Sequence, residues 1–223
     1  EDDIANYLAN TPDFFERHAS LLAAVQLTSP HGQRAVSLQE RQAGMLREKI
    51  RGLELKAAEM IRHGQENTAI ADKLQRWTRE LLRAREAREL PGVAAREIAA
   101  QFLVPQVAIK VWGVAPDFAN EPFAQGASDD VMAFASSLTR PYCGTNPGLE
   151  AARWLDDPTA AASLALIPLR AGAAPQAFGL LVLASGDAQR FSADMGTDFL
   201  ERIGELTSAA LSRLRPVVPA AVV

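Results

Sequence analysis

An uninterrupted heptad ladder constrains this chain more than any other feature. Ala43, Leu46, Ile50, Leu53, Ala57, Met60, Gly64, Asn67, Ala71, Leu74, Thr78 and Leu81 alternate spacings of three and four without a slip. That is the a/d seam of a coiled coil. It predicts a helix from about Leu38 to Arg88, roughly 75 Å long at 1.5 Å per residue. Such a helix cannot hide its stripe inside its own small domain, so pairing with a second copy is expected. The expected dimerisation residues are Leu46, Ile50, Leu53, Met60, Asn67, Leu74 and Leu81. The seam is weak at its centre. Gly64 costs about 1 kcal/mol relative to Ala in a helix, and Asn67 reads either as a register device or as the place where the seam opens. Ile61, Ile70, Trp77 and Leu82 add a second apolar line beside it.

The remaining bulk properties bound the class. With 223 residues, 48% hydrophobic and 22% charged, there is room for one globular domain plus an extended element, and long disorder is not expected. Charge is uneven: Arg34 to Lys110 holds 15 basic and 10 acidic residues, Gly113 to Glu201 4 basic and 11 acidic. Alternating Arg and Glu on a solvated helix account for the basic stretch, so nucleic acid is not the expected partner; contact of the arm with an acidic partner or DNA is the sharper alternative. Cys143 is the single cysteine, which excludes an internal disulfide and fits a reducing compartment. No apolar run reaches 18 residues, and the Glu1-Asp2-Asp3 start is unlike a signal peptide. No membrane is expected as a partner, and the expected localisation is cytoplasmic.

Local signals divide the chain into residues 1–36, short N-terminal helices; 37–89, the long helix; 90–215, a second domain; and 216–223, a tail. Residues 2–9 and 13–25 read as two helices, with Thr11 as N-cap and Pro12 in the first turn of the second. Phe14, Phe15, Leu21, Leu22 and Val25 give them more apolar surface than they can hide alone. Ser29-Pro30-His31-Gly32 reads as a turn. Ser37 with Glu40 forms a capping box that opens the long helix, and Leu90-Pro91-Gly92 is expected to close it. Beyond lie an amphipathic helix over 92–103 (Val93, Ile98, Phe102 and Leu103 inward), a strand over 107–112, and a helix from Asp129 to Leu138. Residues 141–162 show no long element. Two apolar strands, Ser163–Leu169 and Phe178–Ser185, form a hairpin covered on both faces. A last helix from Ser192 to about Leu214 turns Phe199, Ile203, Leu206 and Ala210 to one side, and Pro216 stops it.

Chemistry-bearing motifs are sparse. His18, His31, His63 and Cys143 lie on separate elements without zinc-ligand spacing, so no metal is expected. His18 reads as a surface or capping group and His31 as a turn residue. There is no phosphate loop and no nucleophile elbow. Cys143 has no histidine after position 63 to serve as base and reads as a small buried thiol. Adjacent carboxylates at Asp129-Asp130 and Asp156-Asp157 diverge and do not make an acid/base pair. Catalysis is not expected.

The strings Ala165-Leu166-Ile167-Pro168-Leu169, Phe178-Gly179-Leu180-Leu181-Val182-Leu183-Ala184-Ser185 and Arg190-Phe191-Ser192 are similar to those of GAF-type small-molecule sensor domains. The whole chain resembles something narrower, the bacterial domain-of-unknown-function family 484. Tyr7-Leu8, Pro12-Asp13-Phe14-Phe15, His18, Leu21-Leu22, Pro30-His31-Gly32, Ala35-Val36-Ser37-Leu38, Glu40-Arg41-Gln42 and Pro141-Tyr142-Cys143-Gly144 carry that resemblance. It implies an N-terminal helical segment followed by a GAF-like domain, in proteins often encoded beside a site-specific tyrosine recombinase and a diaminopimelate epimerase. It implies no activity.

The expected fold is therefore α+β: a long-helix coiled coil, then a GAF-like antiparallel sheet with flanking helices. By analogy, a ligand would lie between the sheet and the segment over it. Trp112, Phe134, Tyr142 and Cys143 would form its walls, and Arg140 and Arg153 would fix an anionic group; alternatively these aromatics simply fill a core. The expected function is a non-catalytic, homodimeric small-molecule sensor or signalling module whose ligand is unknown. The alternative is a scaffold with a filled pocket that docks a protein partner, such as a recombinase, through its N-terminal helices, or DNA.

Overall fold

The computed structural model describes residues 1–20, 26–28 and 35–216. Two compact units emerge, Glu1–Asn67 and Thr68–Val223. In the first, α1 (Asp2–Asn10) and α2 (Asp13–Arg17) bury none of their residues. Pro12 occupies the capping position of α2 with helical backbone angles, and Thr11 contributes its carbonyl, which accepts from the Phe14 N–H at 3.0 Å. Phe14 gathers the rings of Tyr7, Phe15 and His18, with centroids 6.3, 5.7 and 4.7 Å away. The expected helix over 13–25 is interrupted at His18, with helical backbone again at Ala19 and Ser20; Leu21, Leu22, Val25 and the Ser29–Gly32 turn lie outside the described residues. β1 (Gln26–Thr28) and β2 (Ala35–Ser37) form an unforeseen antiparallel ladder centred on Leu27 and Val36. Three-residue strands are too short for alternation to reveal.

The long helix α3 runs Leu38–Arg83, 46 residues. It starts directly after Ser37, as expected; the Ser37 side chain lies outside what is described. Its end corrects the sequence reading. Helical structure stops at Arg83, a 3-10 turn covers Ala87–Glu89, and α4 (Leu90–Phe102) begins where the long helix was expected to close. Leu90-Pro91-Gly92 opens a helix because proline lacks only an N–H that the first turn leaves unbonded. Leu90 and Pro91 are buried there.

The second unit is built on a four-stranded antiparallel sheet of order β3-β6-β5-β4, with β3 Gln106–Val111, β4 Tyr142–Thr145, β5 Ser163–Arg170 and β6 Ala177–Ser185. All nine residues of the central strand β6 are buried, which explains its unbroken apolar run. Gly179 is required there, since a Cβ would sit 2.8 Å from the Lys110 carbonyl oxygen of β3. No sequence signal anticipates β4; it is a four-residue edge strand inside a Pro- and Gly-rich segment, held by pairing Tyr142–Thr145 with Ser163–Leu166.

One sheet face packs against α4, α6 (Asp198–Leu211) and the end of α3, burying Trp77, Leu81, Ile98, Ile109, Ile167, Leu181, Ile203 and Leu211. The other lies under α5 (Asp129–Ser137), with Ala108, Leu164, Leu166, Leu180 and Val182 against Val131 and Ala135. Trp77 also donates its indole N–H to the Ala94 carbonyl at 3.3 Å. Two expectations for this unit fail. Leu103, read as inward, is 71% exposed, because it takes the left-handed conformation that ends α4 and leaves Val104 to enter the core. The last helix starts at Asp198 rather than near Ser192. Residues 192–195 make a turn closed by Met195 N–H to the Ser192 carbonyl, and Arg190 donates to the Phe102 carbonyl at 2.8 Å. Of the expected face, Ile203 is fully buried, whereas Phe199, Leu206 and Ala210 flank the core half-buried.

Candidate functional site

Of the six residues expected to line a ligand site, the structure brings Trp112 and Tyr142 into one cluster and places the other four elsewhere. Strand alternation separates Tyr142 from Cys143. Tyr142 joins the packing under α5, whereas Cys143 enters the core on the α6 side. Burial pushes the Cys143 thiol above its ordinary pKa, the behaviour of an inert buried thiol. Trp112, just beyond β3, donates its indole N–H to the Ala177 carbonyl and its backbone N–H to the Phe178 carbonyl, both at 2.8 Å. The Tyr142 ring lies over Gly144, where a Cβ would come within 2.7 Å of the phenol oxygen. Phe134 on α5 is partly exposed and Arg153 points to solvent.

Side chains under α5 pack against one another. Trp112, Leu138, Tyr142, Leu149 and Trp154 ring a floor of small side chains, Ala108, Ala135, Ala151 and Ala152 among them. Its rim is tied by polar contacts. Trp154 donates to the Gly126 carbonyl at 3.2 Å, and Ser128, the α5 cap, donates its hydroxyl to Glu150 at 2.7 Å. Lys110 donates to the Pro122 carbonyl at 2.7 Å, and desolvation holds its pKa below the ordinary value.

On the opposite side a groove of about 640 Å³ runs between α6 and the ends of β4 and β5, lined by Arg140, Ile167, Arg170, Glu201, Glu205 and Ser208 among others. Arg140 pairs with Glu201 at 3.3 Å, and Glu201 also accepts from Thr197 at 2.9 Å. Gly204 lets α6 approach the sheet: a Cβ there would stand 2.7 Å from a methyl of Ile167. Arg170, which no sequence motif singles out, organises the groove's end. Its Nη2 donates to the carbonyls of Leu138, Ser136 and Ala135 at 2.6, 3.0 and 3.3 Å, satisfying the C-terminus of α5. Its backbone N–H donates to the Ser208 hydroxyl at 3.0 Å. The signal available in the sequence was a lone arginine closing an apolar strand. The groove offers both signs of charge around a small-residue floor.

The seam residues divide in the same way. Leu46, Ile50, Leu53, Met60 and Asn67 are exposed, Leu74 is half-buried, and Leu81 is 4% exposed. Leu81 is thus occupied by its own domain's core, which corrects its assignment to the seam. Among the described residues no group of three or more His, Cys, Asp or Glu side chains suits a metal ion, and no helix is long and apolar enough to cross a membrane.

These features define a class: a long amphipathic helix followed by an α+β domain with a groove beside its last helix. The chain belongs to the family described as "Protein of unknown function, DUF484", which matches residues 1–215. None of the curated proteins compared with it matches. Among solved structures it is similar to the GAF domain of a Pseudomonas syringae pv. tomato protein assigned as a sensor histidine kinase (21% identity, 68% of this chain and 91% of that one, TM-score 0.44). It is also similar to the GAF domain of an Acinetobacter phosphoenolpyruvate-protein phosphotransferase (14%, 68% and 97%, 0.48) and to that of the potassium sensor histidine kinase KdpD from Escherichia coli (17%, 65% and 94%, 0.42).

Proposed function

We propose that this protein is a cytoplasmic, non-catalytic regulatory module: a homodimer joined along α3, whose GAF-like domain takes up a small molecule and passes the change to the coil. The observation that supports this is the double use of α3. Its seam is exposed from Leu46 to Met60, while Trp77 and Leu81 of the same helix are built into the domain core. Repacking around Trp77 would move the element that carries the pairing surface. On this reading the ligand enters the groove beside Arg140 and Glu201 rather than the packed face under α5. Native mass spectrometry of protein purified without denaturation tests both parts. A dimer with a fixed added mass, lost in Arg140→Ala, is the expected result; a monomer at micromolar concentration rejects the module.

A second reading, a ligand-free scaffold, is favoured by one observation: Trp112 and Tyr142 are already used in packing. A partner protein would then dock on α1 and α2, where Ile4 and Tyr7 are exposed. A dimer without added mass, with partner binding lost on Ile4→Asp, would favour it.

A further inference from the structure

Given the small-molecule reading, on which this assignment rests, the groove beside α6 specifies its ligand by the charges it leaves free. Its two walls carry opposite signs: Arg140 and Arg170 stand on the side of β4 and β5, Glu201 and Glu205 on α6. Glu201, Glu205 and Ser208 follow one another at spacings of four and three, so one helix face presents all of them. Each wall has more polar capacity than the protein uses. Arg140 spends its Nε on Glu201. Arg170 spends its Nε on the Pro175 carbonyl and its Nη2 on the end of α5. Among the described residues the two Nη atoms of Arg140 and the Nη1 of Arg170 have no acceptor, and Glu205 has no donor.

We propose that this groove takes an α-amino-acid zwitterion, with its carboxylate on Arg140 and Arg170, its ammonium on Glu205, and an apolar side chain over Ile167 and Gly204. Charge balance selects the class. Two guanidinium groups face two carboxylates, so a ligand of one sign gains on one wall and loses on the other. A dicarboxylate meets Glu205 and a diamine meets Arg140, whereas a zwitterion gains on both. The walls also come close, with Arg140 Nε 3.3 Å from Glu201, which suits charges borne on neighbouring atoms rather than at the ends of a long chain. The existing ion pair is no obstacle. Its side chains are 72% and 36% exposed, and so open a pair contributes little, so a ligand carboxylate joins Arg140 without a large loss. Glu205 stands one turn from Glu201 and repels it; an ammonium beside them relieves that repulsion. The groove is held in shape beforehand, because the Arg170 N–H bonds Ser208 at 3.0 Å and Gly204 brings α6 against Ile167. Its volume of about 640 Å³ suits a small ligand.

Isothermal titration of the full chain tests the class. L-Alanine, L-valine and L-leucine are each compared with the carboxylate and the amine that lack one charge, 3-methylbutanoate and 2-methylpropylamine in the case of valine. At least one amino acid is expected to bind about tenfold or more tighter than both of its analogues. Arg140→Ala and Glu205→Gln are each expected to weaken that binding by about tenfold, the loss of one charge-assisted contact. Both side chains are exposed, so the variants must fold, as circular dichroism would verify. An analogue that binds as tightly as its amino acid, or amino-acid binding unchanged in either variant, would overturn the assignment. So would protein that carries an added mass other than an amino acid's and binds none of the three, and the small-molecule reading would then stand. Protein with neither an added mass nor amino-acid binding would overturn both.

Discussion

Two stretches of α3 carry one heptad and end in opposite surroundings. From Leu46 to Met60 the large seam residues are more than half exposed, whereas Trp77 and Leu81 are 0% and 4% exposed within the domain core. Periodicity records that a stripe is to be buried; it does not record against what. Among the described residues the first stretch leaves its large seam side chains in solvent, the surface that a second copy would cover on the proposed reading. The second acts as a helix of the domain, with an indole hydrogen bond to α4 and the sheet beyond.

The largest expected effect lies at the buried end. Trp77→Ala should lower the domain's unfolding free energy by about 3–5 kcal/mol, as for other fully buried aromatic truncations; a loss under about 1 kcal/mol in urea denaturation would erase the contrast between the two stretches. Next comes the helix–sheet contact. Gly204→Ala must displace either the Ile167 methyl or α6 and should cost about 1–3 kcal/mol. Combination with Ile167→Ala should then be less than additive in a double-mutant cycle.

Arg170→Ala strips a charge-assisted donor from three carbonyls at the end of α5 and is expected to cost about 1–3 kcal/mol. Local hydrogen exchange should rise in residues 135–139 ahead of the rest of the domain, and uniform exchange would argue against the cap. At the open end the outcome reverses. Leu46→Asp combined with Leu53→Asp should abolish dimerisation yet shift monomeric domain stability by less than about 0.5 kcal/mol, the range of exposed substitutions.

The smallest effect concerns pH. Burial raises the Cys143 pKa, so the folded protein holds its thiol proton where the unfolded chain has released it. The associated stability is complete below the unfolded pKa, near 8.5, and falls as pH rises through the higher folded value. Alkylation of Cys143 should therefore be slow in native protein at pH 8 and fast in denaturant. Rapid native labelling would show the thiol to be open.

Much of the fold was legible because local rules and tertiary demands coincide. The unbroken apolar runs of β5 and β6 announced a sheet covered on both faces, and the helix expected from Asp129 to Leu138 is α5, Asp129–Ser137. The turn at Phe191-Ser192 misled, because a serine before an amphipathic pattern reads as a cap whether or not the next turn is helical. The candidate site was less legible. Tyr142 and Cys143 stand together in sequence, but in a strand neighbours face opposite ways, and recognising that required β4 to be seen as a strand.

By itself the sequence determined the long helix, its apolar stripe and the central hairpin, since all of these are written in periodicity and spacing over a few turns. Only the tertiary structure decided that α3 stops at Arg83, that Leu81 belongs to the domain, that Arg170 caps α5, and that an open groove lies beside α6. Each of these depends on which surface lies opposite a residue, and that is settled by the packing of segments distant in sequence.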